Sequence, residues 1–201
     1  MRKILTLLFF FIFHHSFAQK DNNSLQLSLG TSGHGTGDLN GFALDLGYDY
    51  VISRRLDFSN GITTTIHSGN DYPYQGTPEI HMLHYTTAGI QLNSMVNFSL
   101  ISLPRHKFRI GGGTVLRYQS SSLPDVYGIY FNNDPDDPTY RFNYYNQQNI
   151  FTIGYSFDIS YIAKVTNKFQ LGIKAQFQND TNGDAITQLS LIVGRYLTCS
   201  K

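Results

Sequence analysis

The stretch FTIGYSFDISYIA, residues 151–163, decides the fold of this chain. Its odd-numbered positions are all apolar or aromatic, whereas the even-numbered positions from Thr152 to Ser160 are small or polar and include one charge, Asp158. Side chains of a β-strand point alternately to the two faces of a sheet, so the pattern predicts a strand with one apolar and one polar face.

The same alternation recurs in seven other segments, so the sequence predicts an all-β domain of eight antiparallel strands. It is least regular in the last segment, where Leu189 and Leu191 share one face while Ile192 and Tyr196 lie on the other. The seven segments are residues 24–30, 41–51, 55–66, 86–100, 107–119, 168–178 and 185–197.

Long and short connections alternate between these segments. The short ones are residues 53–55, 101–107 and 165–168, and the longer ones are residues 34–40, 67–84, 120–147 and 179–184. Short periplasmic turns and longer external loops are typical of outer-membrane barrels, and an even strand number returns both termini to the periplasm. We therefore predict an eight-stranded antiparallel up-and-down transmembrane β-barrel, with a lipid-facing apolar exterior and a polar filled lumen.

The N-terminal residues predict secretion. Arg2 and Lys3 precede an apolar run that ends before small residues, which is the pattern of a signal peptide cleaved after Ala18. The mature chain, residues 19–201, then has 13 basic and 14 acidic residues and is long enough for one domain. No basic patch indicates nucleic acid, and Cys199 is the only cysteine, so no internal disulfide can form.

The alternative is a soluble secreted, lipocalin-like barrel, which buries its apolar face and shows its polar face to water. Three features favour the membrane barrel instead. The polar face consists mainly of small residues, the long loops are awkward for a compact soluble domain, and tyrosines and phenylalanines lie near the strand ends, as in interfacial girdles.

The chain also resembles the small eight-stranded outer-membrane β-barrel proteins (the outer membrane protein beta-barrel domain) of Bacteroidota. The resemblance rests on FAQ at residues 17–19, RRLDFSNGITTT at residues 54–65, and NKFQLGIKAQFQNDTNGDAITQLSLIVGRYL at residues 167–197. It implies the barrel fold and a location in the cell outer membrane, and it implies no particular activity.

Charged residues fall on the polar faces of several strands, and we expect them to lie in the lumen. An eight-stranded barrel is wide enough only for side chains, so no open pore is expected, and buried charges should pair. Asp158 is expected to pair with Arg109, Arg117 or Lys174. The predicted lumen ion network comprises Asp45, Asp49, Asp57, Arg109, Arg117, Asp158 and Lys174.

Two loop segments place a histidine near serine and aspartate, which are the groups of a serine hydrolase. Their external position suits the alternative function of an outer-leaflet lipid A-modifying enzyme, a deacylase- or acyltransferase-like barrel. Neither segment contains a G-x-S-x-G elbow, and loops are rich in such residues anyway, so we predict no catalysis. The candidate catalytic residues are Ser32, His34, Asp38, His67 and Ser68.

The best candidate metal ligands are His81 and His84, with Glu79 nearby. Two histidines at this spacing bind zinc only with further ligands. The acidic segment at residues 132–140 lacks the glycine and the final glutamate of a calcium loop. We therefore predict neither a metal nor another cofactor.

The loop between the fifth and sixth predicted strands is rich in tyrosine, which offers large contact area with a polar tip. Its rings suit contact with a cell-surface polysaccharide or protein, or else they extend the outer girdle. The predicted function is therefore structural or surface-recognition, in a monomer surrounded by outer-membrane lipid. The loop contact candidates are Tyr127, Tyr130, Phe131, Tyr140, Phe142, Tyr144 and Tyr145.

Overall fold

The structure is a computed structural model that describes residues 23–35, 39–69, 72–74, 81–83, 85–125, 129–131, 138–140 and 143–197. The predicted signal peptide, residues 1–18, lies outside the described residues. No helix within the described ranges is long and apolar enough to cross a membrane.

Eight strands form a closed antiparallel barrel, which confirms the predicted fold class and strand count. Each strand pairs with its predecessor in the barrel, and the last closes against the first, with Ser24 opposite Tyr196 and His34 opposite Ile186. The barrel strands are β1 (Ser24–His34), β2 (Leu39–Val51), β3 (Leu56–Gly69), β6 (Thr86–Ser102), β7 (His106–Asp125), β10 (Asn143–Lys164), β11 (Phe169–Asp180) and β12 (Ala185–Tyr196).

Two short hairpins lie in the long connections, which the sequence pattern did not predict. One pairs β4 (Tyr72–Tyr74) with β5 (His81–Leu83), and the other pairs β8 (Ile129–Phe131) with β9 (Pro138–Tyr140). They belong to the end of the barrel that carries the long connections, called the loop end below. The opposite end, where β1 begins and β12 ends, is called the turn end.

The apolar faces of the barrel strands point outward. On β10, Phe151 is 63% exposed and Ile159 is 53% exposed, whereas Asp158 between them is only 7% exposed. Leucine, isoleucine, phenylalanine and tyrosine dominate the exterior of the other barrel strands in the same way. A soluble barrel requires the reverse arrangement, so the observed exterior is suited to lipid.

The lumen is filled mainly by polar side chains. The last strand is mixed, as its irregular pattern indicated, because Leu189, Leu191 and Val193 point outward while Ile186 and Ile192 are buried inside. Among the described residues, the other buried apolar side chains are far fewer than the buried polar ones: Leu39, Ala43, Met95, Val115 and Ile162.

The strands β7 and β10 are the longest, at 20 and 22 residues, and they remain paired as far as Asp125 and Asn143. Spanning a bilayer takes only about 9–11 tilted residues. These two strands are therefore longer than a span requires, and they extend beyond it at the loop end.

The turns are closed by hydroxyl groups. The Ser53 side chain accepts hydrogen bonds from the backbone amides of Arg55 and Leu56, at 3.3 and 3.1 Å. Thr166 does the same for Lys168 and Phe169, at 3.2 and 3.0 Å. Such side-chain acceptors satisfy backbone donors where the strand ladder ends, and they make short turns rigid.

The outward orientation of β10 predicts a specific stability effect. Replacing Ile159 with lysine should reduce the free energy of unfolding by about 2–4 kcal/mol, because a charge near the middle of the span would face lipid. The measurement is urea unfolding in lipid vesicles. The matched control Ile159→Leu should cost about 1 kcal/mol or less, and a lysine variant as stable as this control would contradict a lipid-facing exterior.

Candidate functional sites in the lumen

An ion network lies in the half of the lumen near the turn end. The Arg109 guanidinium donates to the Asp49 carboxylate at 2.7 Å and lies 3.7 Å from Asp57, which accepts a 2.6 Å bond from Lys107. Asp49 also accepts from Ser59 at 2.6 Å and from the Gln26 amide. Arg109 and Asp49 come from β7 and β2, so this ion pair crosses the lumen.

A second ion pair lies further along the lumen. Lys174 on β11 donates to Asp45 on β2 at 2.7 Å, and Asp45 also accepts hydrogen bonds from Thr63 at 2.9 Å and Ser28 at 3.0 Å. The carboxylate is therefore surrounded by donors. Such additional hydrogen bonds are what make a buried ion pair tolerable.

Asp158 faces the lumen as predicted, but its expected pairing is wrong. Lys174 bonds Asp45 instead, Arg109 bonds Asp49, and Arg117 bonds neutral groups. One carboxylate oxygen of Asp158 is buried without a hydrogen-bond partner among the described residues. Asp158 is thus attracted to Lys174 and Arg109 only from a distance. If Asp158 were removed, each of these bases would still have its own carboxylate partner.

Arg117 is a buried base with neutral partners. It is fully buried, and its guanidinium donates to Gln91 at 3.3 Å and to Thr65 at 3.2 Å, while its Nε has no partner among the described residues. A Cβ added at Gly89 would lie 2.7 Å from the guanidinium. Glycine at this position therefore provides the space in which the guanidinium lies.

Neutral amides fill much of the remaining lumen, and sequence reasoning did not assign them a role. Gln91 on β6 and Gln178 on β11 exchange reciprocal amide hydrogen bonds at 2.7 and 3.0 Å across the barrel. Their positions on the polar faces of strands were the available signal. Seven glutamines of the described part of the chain are buried: Gln26, Gln91, Gln119, Gln170, Gln176, Gln178 and Gln188.

The structure brings together two of the candidate catalytic residues. His67 Nε2 lies 2.8 Å from Ser32 Oγ, and the Ser32 hydroxyl itself donates to the Thr187 carbonyl at 3.2 Å. The Ser32 hydroxyl is therefore shared between two partners, and the direction of its bond to His67 follows the tautomer of the ring, so the contact does not by itself mark Ser32 as a nucleophile. His67 Nδ1, where a triad would place its acid, has no partner among the described residues.

His34 belongs to a different pair. Its Nε2 lies 3.3 Å from Gln119 Oε1 and 3.6 Å from Asp184 Oδ2, and its ring centroid is 5.2 Å from that of His67. The His34 side chain lowers the pKa of the Asp184 carboxyl to about 2, with further lowering by the Asn182 and Gln119 amides, although burial opposes it. Asp184 thus interacts with His34 and with residues of its own loop, and not with His67.

Several candidate residues cannot be placed. Asp38, Glu79, His84, Tyr127 and Phe142 lie outside the described residues. Ser68 lies one residue before the end of β3, is exposed on the face opposite to His67, and makes its own contacts. Only the backbone strands that carry the remaining candidates are described: His81, Tyr130, Phe131, Tyr140, Tyr144 and Tyr145.

The described residues contain no group of three or more histidine, cysteine, aspartate or glutamate side chains arranged to hold a metal ion. The cluster of Ser32, His34, His67 and Asp184 offers hydrogen bonds among its own members rather than a set of convergent ligands. Its chemistry in this arrangement is that of a polar plug at the loop end of the lumen.

No family model matches this chain, and no curated protein matches it in sequence. Solved structures share its architecture. Neisserial surface protein A (NspA) is 14% identical, with a TM-score of 0.55 over 88% of this chain and 97% of its own. The chain has the fold of a small outer-membrane β-barrel.

Two further structures agree with this assignment. Ail, the attachment invasion locus protein of Yersinia pestis, is 8% identical with a TM-score of 0.53, over 88% of this chain and 99% of its own. The outer membrane protein OprG from Pseudomonas aeruginosa is 8% identical with a TM-score of 0.52, over 89% and 96%. At these identities the likeness of this barrel to its structural neighbours extends to the fold alone.

The pairing in the lumen predicts that two buried aspartates differ in importance. Asp45→Asn should destabilise the barrel by about 3 kcal/mol, because it leaves Lys174 buried without a carboxylate. Asp158→Asn should change stability by less than about 1 kcal/mol, since no base loses a bonded partner. Urea unfolding of both variants in vesicles measures the difference, and equal losses would contradict the observed pairing.

The loop-end contacts of Asp184 predict a pH dependence. Because folding lowers its pKa from 3.8 to about 2, Asp184 stabilises the barrel above its ordinary pKa, and this contribution is lost as the pH falls through about 2. Asp184→Asn should therefore be less stable than the native chain at pH 6 and approach it at low pH, by urea unfolding across a pH series. A stability difference that stays constant with pH would refute this assignment.

Proposed function

We propose that this chain is an outer-membrane protein without an open pore, with both termini in the periplasm, and with a structural and surface-recognition role through its loop end. The observation that carries the proposal is the combination of an apolar exterior with a lumen closed by side chains. The exterior suits a bilayer, and the lumen leaves transport no obvious path.

The closure of the lumen is built from bonds between strands that are not neighbours. The Lys174–Asp45 pair, the Gln91–Gln178 amide pair and the His34–Gln119 contact lie at successive levels and each crosses the barrel. Opening a pore would require breaking several of them together. We therefore expect the proposed recognition to take place at an end of the barrel rather than in its interior.

The loop end is the better candidate for recognition. The two longest strands, β7 and β10, extend there and carry the tyrosine-rich connection between them. Small barrels of this fold support such a role, because Ail, named for attachment and invasion, is seen in complex with the heparin analogue sucrose octasulfate. A cell-surface polysaccharide or protein is the partner class that the tyrosine-rich loop of this chain suits.

The enzyme alternative is not favoured by the loop-end geometry. Ser32 and His67 are 4% and 1% exposed, so a lipid ester has no direct access to the hydroxyl. His67 Nδ1 also has no hydrogen-bond partner among the described residues, so no acid orients the ring as in a triad. We therefore interpret Ser32 and His67 as structural residues that help to fill the lumen.

The proposed location predicts a simple fractionation result. The expressed chain should be recovered with the outer membrane and should migrate differently on a gel before and after boiling, because a closed barrel has no free strand edge at which detergent can begin unfolding. Recovery in the soluble periplasmic fraction without detergent would overturn the proposal.

A loop replacement tests the proposed recognition role independently of the proposed location. Exchanging residues 127–142 for a short glycine–serine turn should leave fractionation and heat-modifiability unchanged while abolishing adhesion of expressing cells to polysaccharide- or protein-coated surfaces. The matched control is Ser32→Ala with His67→Ala, which should retain adhesion. If the loop replacement adheres as well as the native chain, the tyrosine-rich loop is not the recognition element.

A further inference from the structure

A cavity of about 340 Å³ opens at the turn end of the lumen, opposite the proposed recognition loops. Its floor is formed by the ion network, in which Asp49 is bonded to Arg109 and Asp57 to Lys107. The two acids of the cavity are thus already neutralised. Its volume lies within the usual range for small-molecule sites.

Besides His106, three arginine or lysine side chains outside this network line the cavity: Arg54 in the turn between β2 and β3, Arg105 in the turn between β6 and β7, and Lys164 at the end of β10. None of them has a carboxylate partner among the residues that the structure describes. The mouth therefore carries three positive charges above a floor whose charges largely cancel.

The backbone around these bases is held in place by hydrogen bonds between turns. The carbonyl of Arg54 accepts a bond from the Ser102 hydroxyl at 3.2 Å, and the carbonyl of Arg105 accepts one from the Lys164 amide at 2.8 Å. The three charged side chains thus project from segments that are tied to one another. Such fixed geometry lowers the cost of ordering the site when a ligand binds.

The wall of the cavity is not uniformly polar. Tyr196, Val51 and Ile162 contribute apolar surface, and Lys164 Nζ lies 5.3 Å from the centre of the Tyr196 ring. The ring faces this cation, as in a cation–π contact, and adds aromatic surface to the wall. The site thus suits a molecule with an anionic group and a small organic body.

We propose that this turn-end cavity binds a phosphate group attached to a small organic body, with Arg54, Arg105 and Lys164 as its ligands. At neutral pH a phosphate monoester carries close to two negative charges and a phosphodiester headgroup carries one, so the monoester is the better match for the three bases that line the cavity. Guanidinium groups also bind phosphate oxygens in a bidentate manner. The group comes either from a soluble phosphomonoester or from an anionic phospholipid headgroup at the rim.

The test uses the full mature chain, refolded in a detergent that carries no phosphate, and isothermal titration with glycerol phosphate. Saturable binding is expected, with glycerol and acetate binding at least tenfold more weakly. A second titration in the presence of phosphatidylglycerol distinguishes the source. Displacement by the lipid identifies a headgroup site, and undisturbed binding identifies a soluble ligand.

Substitutions locate the site. Arg54→Gln and Arg105→Gln should each lower the affinity about tenfold, which corresponds to about 1.4 kcal/mol. The matched control is Arg55→Gln, since Arg55 lies in the same turn but does not line the cavity, and its affinity should remain within about twofold of the native value. Heat-modifiability on a gel verifies that each variant is folded.

Three outcomes would overturn the proposal: no saturable binding of glycerol phosphate or phosphatidylglycerol, equal binding of acetate, or an Arg55→Gln variant that loses as much affinity as Arg54→Gln. The last would indicate a general attraction of the basic turns for anions. Because the cavity and the recognition loops lie at opposite ends, loss of adhesion after loop replacement leaves this titration unaffected.

Discussion

The pairing of β1 with β12 is the interaction on which the rest of the structure depends. It runs from Ser24 opposite Tyr196 to His34 opposite Ile186, and it removes the last free edge of the sheet. A bilayer offers no hydrogen bonds to a backbone, so a sheet can exist there only if it is closed. Closure in turn gives every strand one outward face, which meets lipid, and one inward face, which must share a narrow interior.

With a polar interior and an apolar exterior, the barrel is the reverse of a soluble protein, whose core is apolar and whose surface is polar. The exposed apolar residues suit a lipid environment. The contacts that select one arrangement of the strands within the barrel are therefore polar. Ion pairs near the turn end give way to neutral amide pairs and then to the histidine cluster near the loop end. Because a buried polar group without a partner is costly, each such contact restricts the register of the strands that carry it.

The two ends differ for reasons that follow from their connections. Short turns hold Arg54 and Arg105 close to the lumen mouth, where hydrogen bonds between turns order the backbone. At the other end, β7 and β10 are longer than a membrane span requires. Serine, histidine and aspartate residues lie close together in the sequence at that end, as in a catalytic set. In the structure, Ser32 and His67 help to close the lumen, and Asp184 holds His34.

The sequence by itself determined the number of barrel strands and, for all but the irregular last strand, which face points outward, because a period of two places Ile159 and Asp158 on opposite sides whatever the rest of the chain does. It also predicted that Asp45, Arg109 and Lys174 point inward. It did not determine how far β7 and β10 extend, since β7 continues to Asp125 and β10 begins at Asn143. Only the tertiary structure decided which charges meet. Partners such as Lys174 and Asp45 lie far apart in the chain and on strands that are not neighbours, and their relative height depends on the stagger of the closed barrel. That stagger is a property of all eight strands together, and it left Asp158 beside the network rather than within it.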